Sequence, residues 1–221
     1  MIRALYSART GMEGQQTHLD VITNNLANVN TVGFKKSHTQ FEDLFYQTMR
    51  AVGAETVAGE QVPTGVRVGM GAKVTAVQKI FTQGDFINTN NELDVAIEGD
   101  GFFKIMRAGS EYYTRAGSFK RDSEGYIVTA NGERLQPEFS IPEKTTFLSI
   151  SQTGLVTAQD ANQQTLGTVQ LTLHKFINPA GMKAVGNNLF IPTDASGAAV
   201  EANPGTNGLG TLAQRFLETS N

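Results

Sequence analysis

Cysteine and tryptophan are both absent from the 221 residues, and proline occurs only six times. The lack of cysteine excludes disulfide bonds, thiolate metal ligands and cysteine nucleophiles from this chain. The lack of tryptophan, together with the scattered positions of the five tyrosines, leaves no row of exposed aromatic side chains of the kind that binds glycans. A stand-alone β-sandwich module for peptidoglycan or another glycan is therefore a disfavoured alternative.

Local concentrations of charge and of apolar residues are also missing. The formal net charge is −3, and no run of like charges occurs. Nucleic-acid-binding proteins usually carry a basic face, and membrane-surface segments are polybasic, so we predict neither partner. No stretch approaches the roughly 18 consecutive apolar residues of a membrane span, and the N-terminus lacks the apolar core of a cleaved signal peptide. These bulk features alone predict a cytoplasmic protein with no membrane insertion.

The sequence contains no recognisable pattern of catalytic or ligand-binding residues. His18, His38 and His174 lie on three different segments without metal-ligand spacing. No G-x-S-x-G nucleophile motif occurs, and the G-x-G at 69–71 does not open into a helix as a phosphate-binding loop would. The acidic residues of 94–100 do not match a calcium-binding loop. We predict no enzyme activity, no cofactor and no metal site.

The first 33 residues have the periodicity of an amphipathic helix. Apolar residues recur every seven positions, with a second set three residues later, as in the a and d positions of a heptad. These positions are Leu5, Met12, Leu19 and Leu26, followed by Ala8, Gln15, Ile22 and Val29, of which only Gln15 is polar. We predict a helix over 1–33 that ends at Gly33. Two interpretations stay open: a surface helix packed on its own domain, or an assembly interface between helices.

The intrinsic helix propensity of this segment is low. Gly11 and Gly14 each cost about 1 kcal/mol relative to alanine, and the threonines and asparagines are mediocre helix formers. The helix should therefore be marginal alone and gain its stability from packing. Because everything downstream is predicted to be β, no second helix is available within this sequence to cover the apolar positions.

The remainder of the chain predicts short strands separated by turns. LDVAIE (93–98), the turn 99–101 and FFKIM (102–106) predict a β-hairpin. We predict a mostly β protein with an N-terminal α-helix, in which a β-sandwich-like domain follows an extended region. The predicted division is an amphipathic helix at 1–33, an extended connecting region at 34–92, a β-rich outer domain at 93–210 and a stub at 211–221.

One segment resembles a known family motif. NNLANVNTVGFKK (24–36) is similar to the N-terminal motif of the flagellar axial proteins, the family of rod, hook and hook-associated subunits. The residues that carry the resemblance are Asn25, Leu26, Ala27, Asn28, Thr31, Gly33 and Phe34. Finer similarity to distal rod proteins lies in LYSARTGM (5–12), FEDLFYQTMR (41–50), LDVAIEGDGFFKI (93–105), YTRAGSF (113–119), FINPAGM (176–182) and LETSN (217–221). These blocks span nearly the whole chain.

The resemblance implies a structural function. It implies a subunit of the bacterial flagellar distal rod that polymerises into a rigid drive shaft and transmits motor torque to the hook. A proximal rod or hook protein is the alternative, which YQTMRAVGAETVAGEQVPTG (46–65) disfavours because it resembles the segment that distinguishes distal rod from hook proteins. The implied partners are further copies of the chain in a helical tube, neighbouring rod and hook proteins, the basal-body ring that acts as a bushing, and the flagellar type III export apparatus. The implied location is the periplasm-spanning basal body, reached without a cleaved signal peptide.

The resemblance also gives the N-terminal helix its partners. Axial proteins pair this helix with a C-terminal helix in an inner tubular layer, and on this basis the chain stops before the C-terminal helix begins. The implied assembly interface consists of Leu5, Met12, Leu19, Ile22, Leu26 and Val29. For Asn24, Asn25 and Asn28 two roles stay open: hydrogen bonding across the packed layer, or ending the helix near Gly33.

Overall fold

The computed structural model describes residues 2–52 and 63–221. The described part of the chain is mostly β with one N-terminal α-helix, which confirms the predicted fold class. The chain separates into two compact units: unit 1 comprises Met1–Ala27 and Ser37–Lys79, and unit 2 comprises Asn28–Lys36 and Ile80–Asn221. This division differs from the predicted one, because the segment that follows the helix belongs to the second unit. Residues 53–62 of the predicted distal-rod segment lie outside the described residues.

The described part of unit 1 consists of a helix and two antiparallel strand pairs. Its elements are α1 (Ile2–Ala27), β1 (Ser37–Asp43), β2 (Tyr46–Arg50), β3 (Val66–Gly69) and β4 (Ala72–Lys79). Strand β1 pairs with β4, and the register shifts between Gln40 and Phe41. Strand β2 pairs with β3 in a separate two-stranded ribbon.

The helix ends at Ala27, six residues before the predicted stop at Gly33. The Asn28 carbonyl accepts the Thr31 amide at 3.0 Å, and the Thr31 hydroxyl donates to Asn28 Oδ1 at 3.2 Å. Such local side-chain bonds give the backbone an alternative to the helix. Gly33 does adopt a left-handed conformation, with φ of +67°, but in the loop beyond this turn.

Unit 2 contains sixteen strands and one short 3-10 helix. The strands are β5 (Phe86–Asn88), β6 (Val95–Glu98), β7 (Phe103–Arg107), β8 (Ser110–Thr114), β9 (Lys120–Arg121), β10 (Ile127–Val128), β11 (Arg134–Gln136), β12 (Phe147–Ile150), β13 (Leu155–Gln159), β14 (Thr165–Gln170), β15 (Leu173–Lys175), β16 (Lys183–Gly186), β17 (Leu189–Ile191), β18 (Val200–Ala202), β19 (Thr211–Gln214) and β20 (Phe216–Glu218), and the 3-10 helix spans Pro179–Gly181. The sheets are a seven-stranded sheet in the order β16-β17-β8-β7-β11-β10-β9, a three-stranded sheet β12-β13-β14, and the pairs β15-β18, β6-β19 and β5-β20.

The hydrophobic core of unit 2 forms from alternating positions of these strands. In β7, Phe103 and Ile105 are buried while Lys104 and Met106 are partly exposed, as the two-residue period of a strand requires. The larger cluster also contains residues of β6, β12, β13 and β19, and a second, aromatic cluster forms around Phe102. Unit 2 thus has a hydrophobic core of its own.

The predicted hairpin between 93–98 and 102–106 is wrong. Strand β6 pairs with β19, whereas β7 pairs with β8 and β11. Gly99 and Gly101 both have positive φ, and the Gly210 amide donates to the Asp100 carbonyl at 2.7 Å. The 99–101 segment therefore packs against a distant part of the chain. It connects β6, which pairs with β19, to β7, which lies in the seven-stranded sheet.

The segment 211–221, predicted to be a stub, contains two strands of unit 2. Strand β19 adds to β6, and β20 adds to β5. Leu212 and Glu218 are both fully buried. Among the described residues, no helix is long and apolar enough to cross a membrane.

Candidate assembly interface

The apolar stripe of α1 faces solvent. Five of the six predicted interface residues lie on the helix, and we call them the apolar seam: Leu5, Met12, Leu19, Ile22 and Leu26. Their side chains are exposed, with Leu5, Met12 and Leu26 at about 70% of full exposure (71, 67 and 70%). Val29 is also exposed, but it lies beyond the end of the helix and belongs to unit 2.

The helix packs on the β1–β4 pair through a different face. Gly14 is buried against this pair, and a Cβ placed there would lie 3.0 Å from Phe41 Cε1 and 3.9 Å from Val74 Cγ2. The His18 ring packs edge-on against Phe41 with 5.9 Å between centroids. Small and polar residues thus contact the strands. The amphipathic pattern is inverted relative to a helix that covers its own domain.

Glycine allows a close approach on both sides of this contact. A Cβ on Gly71 in the turn before β4 would lie 2.2 Å from Thr10 Oγ1, and the φ of +110° at Gly71 is one that other residues rarely adopt. Gly14, which weakens the helix by itself, allows the close approach to Phe41. Gly14 therefore lowers the intrinsic stability of the helix but permits its close packing on the strands.

A third face of the helix is charged. Arg9 Nε donates to Glu13 Oε1 at 2.8 Å, and Asp20 is exposed. Because both members of the Arg9–Glu13 pair are largely exposed, the pair contributes little to stability. The charged face provides control positions outside the apolar seam on the same helix.

No hydrophobic side chain of the described part of unit 1 is buried. Among residues 2–52 and 63–221, the buried hydrophobic residues all belong to unit 2, and unit 1 buries only Gly14 and the polar Thr39. Every residue of the β2–β3 ribbon is exposed, and Phe45 before it is 89% exposed. A ribbon of two strands is at best marginally stable in water without further packing. The described residues of unit 1 therefore present apolar surface without forming a hydrophobic core.

The family-motif residues hold the turn that follows the helix. Asn25 Nδ2 donates to the Ser37 carbonyl at 2.8 Å, and the Ser37 amide donates to Asn25 Oδ1 at 2.9 Å. Asn28 bonds Thr31, as described above, so for Asn25 and Asn28 the structure shows bonds within the chain at the end of the helix. Leu26 and Ala27 are exposed.

The last two motif residues are buried in unit 2. Phe34 is buried, and the Gly33 amide donates to the Glu218 carbonyl at 2.9 Å. A Cβ on Gly33 would lie 2.7 Å from the Ala116 nitrogen, so only glycine fits there. The motif therefore positions the chain as it leaves the helix, rather than forming a ligand site. Within the described residues, no group of three or more His, Cys, Asp or Glu side chains is close enough to hold a metal ion.

Gly14→Val should detach α1 from the β1–β4 pair. The valine branches would overlap Phe41, and overpacking of this kind costs about 1–3 kcal/mol. Far-ultraviolet circular dichroism should show a loss of helicity. Gly11→Val is the matched control, since a Cβ at Gly11 meets nothing within 4 Å. Equal loss of helicity in both variants would mean that valine acts only through helix propensity and that the Gly14 contact is unimportant.

Comparison with known families assigns the chain to a class. Residues 5–35 match the family described as flagella basal body rod protein, and residues 96–158 match the flagellar hook protein FlgE/F/G D1 domain. The first match contains most of α1 and the motif after it, and the second lies in the sheets of unit 2. The chain is therefore a flagellar axial protein of the rod and hook type.

Identity to individual proteins shows which axial family the chain belongs to. The chain is 45% identical to the flagellar basal-body rod protein FlgG of Borreliella burgdorferi over 225 residues, which cover 100% of this chain and 85% of that protein. It is 44% identical to FlgG of Caulobacter vibrioides and 39% identical to FlgG of Bacillus subtilis, with the same coverage. The flagellar hook protein FlgE of B. burgdorferi is 41% identical, but over 62% of this chain and 31% of that protein. The chain belongs to the FlgG family of flagellar basal-body rod proteins.

Proposed function

We propose that this protein is a structural subunit of the distal flagellar rod, and that copies of it assemble through the apolar seam of α1. The observation that best supports this proposal is that the seam is exposed, whereas the face of α1 that contains Gly14 is packed against the β1–β4 pair. Each Leu or Met side chain that becomes fully buried contributes about 1.5–3 kcal/mol. Five such positions on one stripe supply enough apolar surface to drive association between helices.

The occupant of the seam is the helical layer formed by further copies of the protein, in which the family resemblance also pairs α1 with a C-terminal helix. Homologous rod proteins span the whole of this chain, and a rod requires repeated contacts between identical subunits. The exposed apolar residues of the β2–β3 ribbon extend the same argument, because a polymer contact would cover them also. The resulting tube would serve as a drive shaft that transmits torque to the hook, with no catalytic role.

Finer features of the proposal come from the family resemblance. We propose that the subunit reaches the basal body through the flagellar type III export apparatus without cleavage of a signal peptide. There it would span the periplasm inside the basal-body ring that acts as a bushing, between neighbouring rod and hook proteins. A helix of low intrinsic stability suits export in an unfolded state.

Single cysteines test the proposed contact directly, because the chain has none of its own. Leu19→Cys lies on the apolar seam, and Asp20→Cys lies on the charged face one residue away. In purified basal bodies, Leu19→Cys should be protected from a thiol-reactive maleimide although it reacts in the unassembled chain, because the seam contact covers this exposed position. Asp20→Cys should react in both states. Reaction of Leu19→Cys in basal bodies as fast as in the unassembled chain would overturn the seam contact.

A further inference from the structure

A buried carboxylate joins two buried cations in unit 2. Glu218 of β20 accepts a hydrogen bond from Lys35 Nζ at 2.8 Å and one from Arg115 Nε at 3.0 Å. All three side chains are at least 96% buried (0, 1 and 4% exposed). Glu218 Oε1 also accepts the Gly84 amide at 3.0 Å. Three segments that are distant in sequence therefore meet at one carboxylate.

The other donors of the two cations are also bonded. Lys35 Nζ donates to the Thr82 carbonyl at 2.7 Å, and Arg115 Nη1 donates to the carbonyls of Gly99 and Gly101 at 2.8 and 2.9 Å. Burial by itself would raise the pKa of Glu218, but the neighbouring Arg115 and Lys35 outweigh it and hold that pKa below its usual range. A buried ion pair is stable only when its polar atoms are satisfied, and removal of one partner leaves an uncompensated charge. Here a single carboxylate is the shared ion-pair partner of two cations.

The backbone around Glu218 makes further bonds to the same segments. The Glu218 carbonyl accepts the Gly33 amide at 2.9 Å, and the Asn221 side chain accepts the Lys36 amide at 2.8 Å and donates to the Ile80 carbonyl at 2.9 Å. The Ile80 amide in turn donates to the Lys36 carbonyl at 2.9 Å. Residues 28–36, and residues 80–85 before β5, are thus both hydrogen-bonded to residues 218–221.

These two segments are the ones that connect unit 2 to unit 1 along the chain. Residues 28–36 follow α1 and lead into β1, and residues 80–85 follow β4. We propose that Glu218 is a positioning residue that fixes both connecting segments on unit 2, so that they are docked only when β20 is in place. The consequence for assembly rests on the proposed function. If β20 were undocked, unit 2 would not hold residues 28–36, the segment that follows α1 and its apolar seam.

Amide hydrogen exchange of the unassembled chain tests this role without requiring a rod to form. In Glu218→Gln, exchange at Gly33 and Ile80 should rise about tenfold or more relative to wild type, because the two cations lose their compensating charge. Neither amide bonds the substituted carboxylate, so the change reports the position of the segments. The reference is the amide of buried Leu212, which donates to the Gln152 carbonyl and should change much less.

The matched control is Glu124→Gln, also in unit 2. Glu124 makes an ion pair with Arg134 at the same 2.8 Å distance, but both side chains are substantially exposed. This control should leave Gly33 and Ile80 unchanged. Glu218→Gln behaving like Glu124→Gln, or accelerating Leu212 by the same factor as Gly33, would overturn the proposal.

A second pair of variants separates positioning from general destabilisation. Adding Lys35→Met to Glu218→Gln removes one uncompensated cation and should return exchange at Gly33 and Ile80 part of the way to the wild-type rate. If Glu218→Gln alone does not fold, the double variant is compared with Lys35→Met, in which Glu218 still pairs with Arg115. Faster exchange in the double variant supports the role of the carboxylate, and equal exchange overturns it.

Discussion

Replacing Leu19 or Leu26 with aspartate should abolish assembly into rods while leaving the melting temperature of unit 2 unchanged. Each substitution removes a side chain that would contribute about 1.5–3 kcal/mol on burial and places a carboxylate at the centre of the apolar seam. An unpaired charge in a packed helix contact costs several kcal/mol more, and it does so at every repeated contact of a polymer. Electron microscopy of basal bodies and calorimetry of the purified chain measure the two outcomes.

The specificity of this result depends on a control within the same helix. Gln16→Asp adds the same charge to α1 at an exposed position outside the seam, so rods should still form. Leu19 and Leu26 are exposed in the structure and belong to unit 1, whose described residues include no buried hydrophobic side chain. Their replacement should therefore not affect unit 2. A large fall in the melting temperature of unit 2 with Leu19→Asp would show that the seam packs within its own chain.

The seam was predictable because heptad spacing is a local property of the sequence. Leu5, Met12, Leu19 and Leu26 recur every seven residues, and the structure places all four on one exposed stripe. The packed face was not predictable in the same way. Gly14 has a propensity cost that sequence alone interprets as weakness, and only the distance to Phe41 shows what the missing side chain permits.

Long-range pairing could not be obtained from local patterns. The sequence 93–106 has the alternation and glycine turn of a hairpin, yet β6 pairs with β19 more than a hundred residues later. The buried cluster of Lys35, Arg115 and Glu218 has no sequence signal either, since each residue alone resembles a solvated surface charge. Family resemblance marked the regions around all three residues, but it did not indicate that they meet.

The end of the helix was mispredicted for a local reason. A glycine is the commonest helix stop, which favoured Gly33. Hydrogen bonds between Asn28 and Thr31 instead close a turn directly after Ala27. The spacing Asn-x-x-Thr was present in the sequence, and the competition between side-chain turns and helix could have identified it.

The unassembled chain should exchange the amide hydrogens of α1 far faster than those of β6 and β7. Among the described residues, unit 1 buries no hydrophobic side chain, and Gly11 and Gly14 each reduce helix stability by about 1 kcal/mol. Local opening of α1 therefore requires little free energy, whereas the core strands of unit 2 exchange only through larger unfolding events. We expect a difference of about a hundredfold or more.

The low stability of α1 also predicts how its amide exchange rate should respond to mutation and to assembly. Gly11→Ala fills open space and raises helix propensity, so it should slow exchange in α1 without affecting β7. Burial of the apolar seam between copies should slow it much further, because the helix would then open only after its contacts are broken. If α1 in a verified monomer is protected as strongly as β6 and β7, the helix is stabilised within its own chain. The exposed seam would then not be the source of its order.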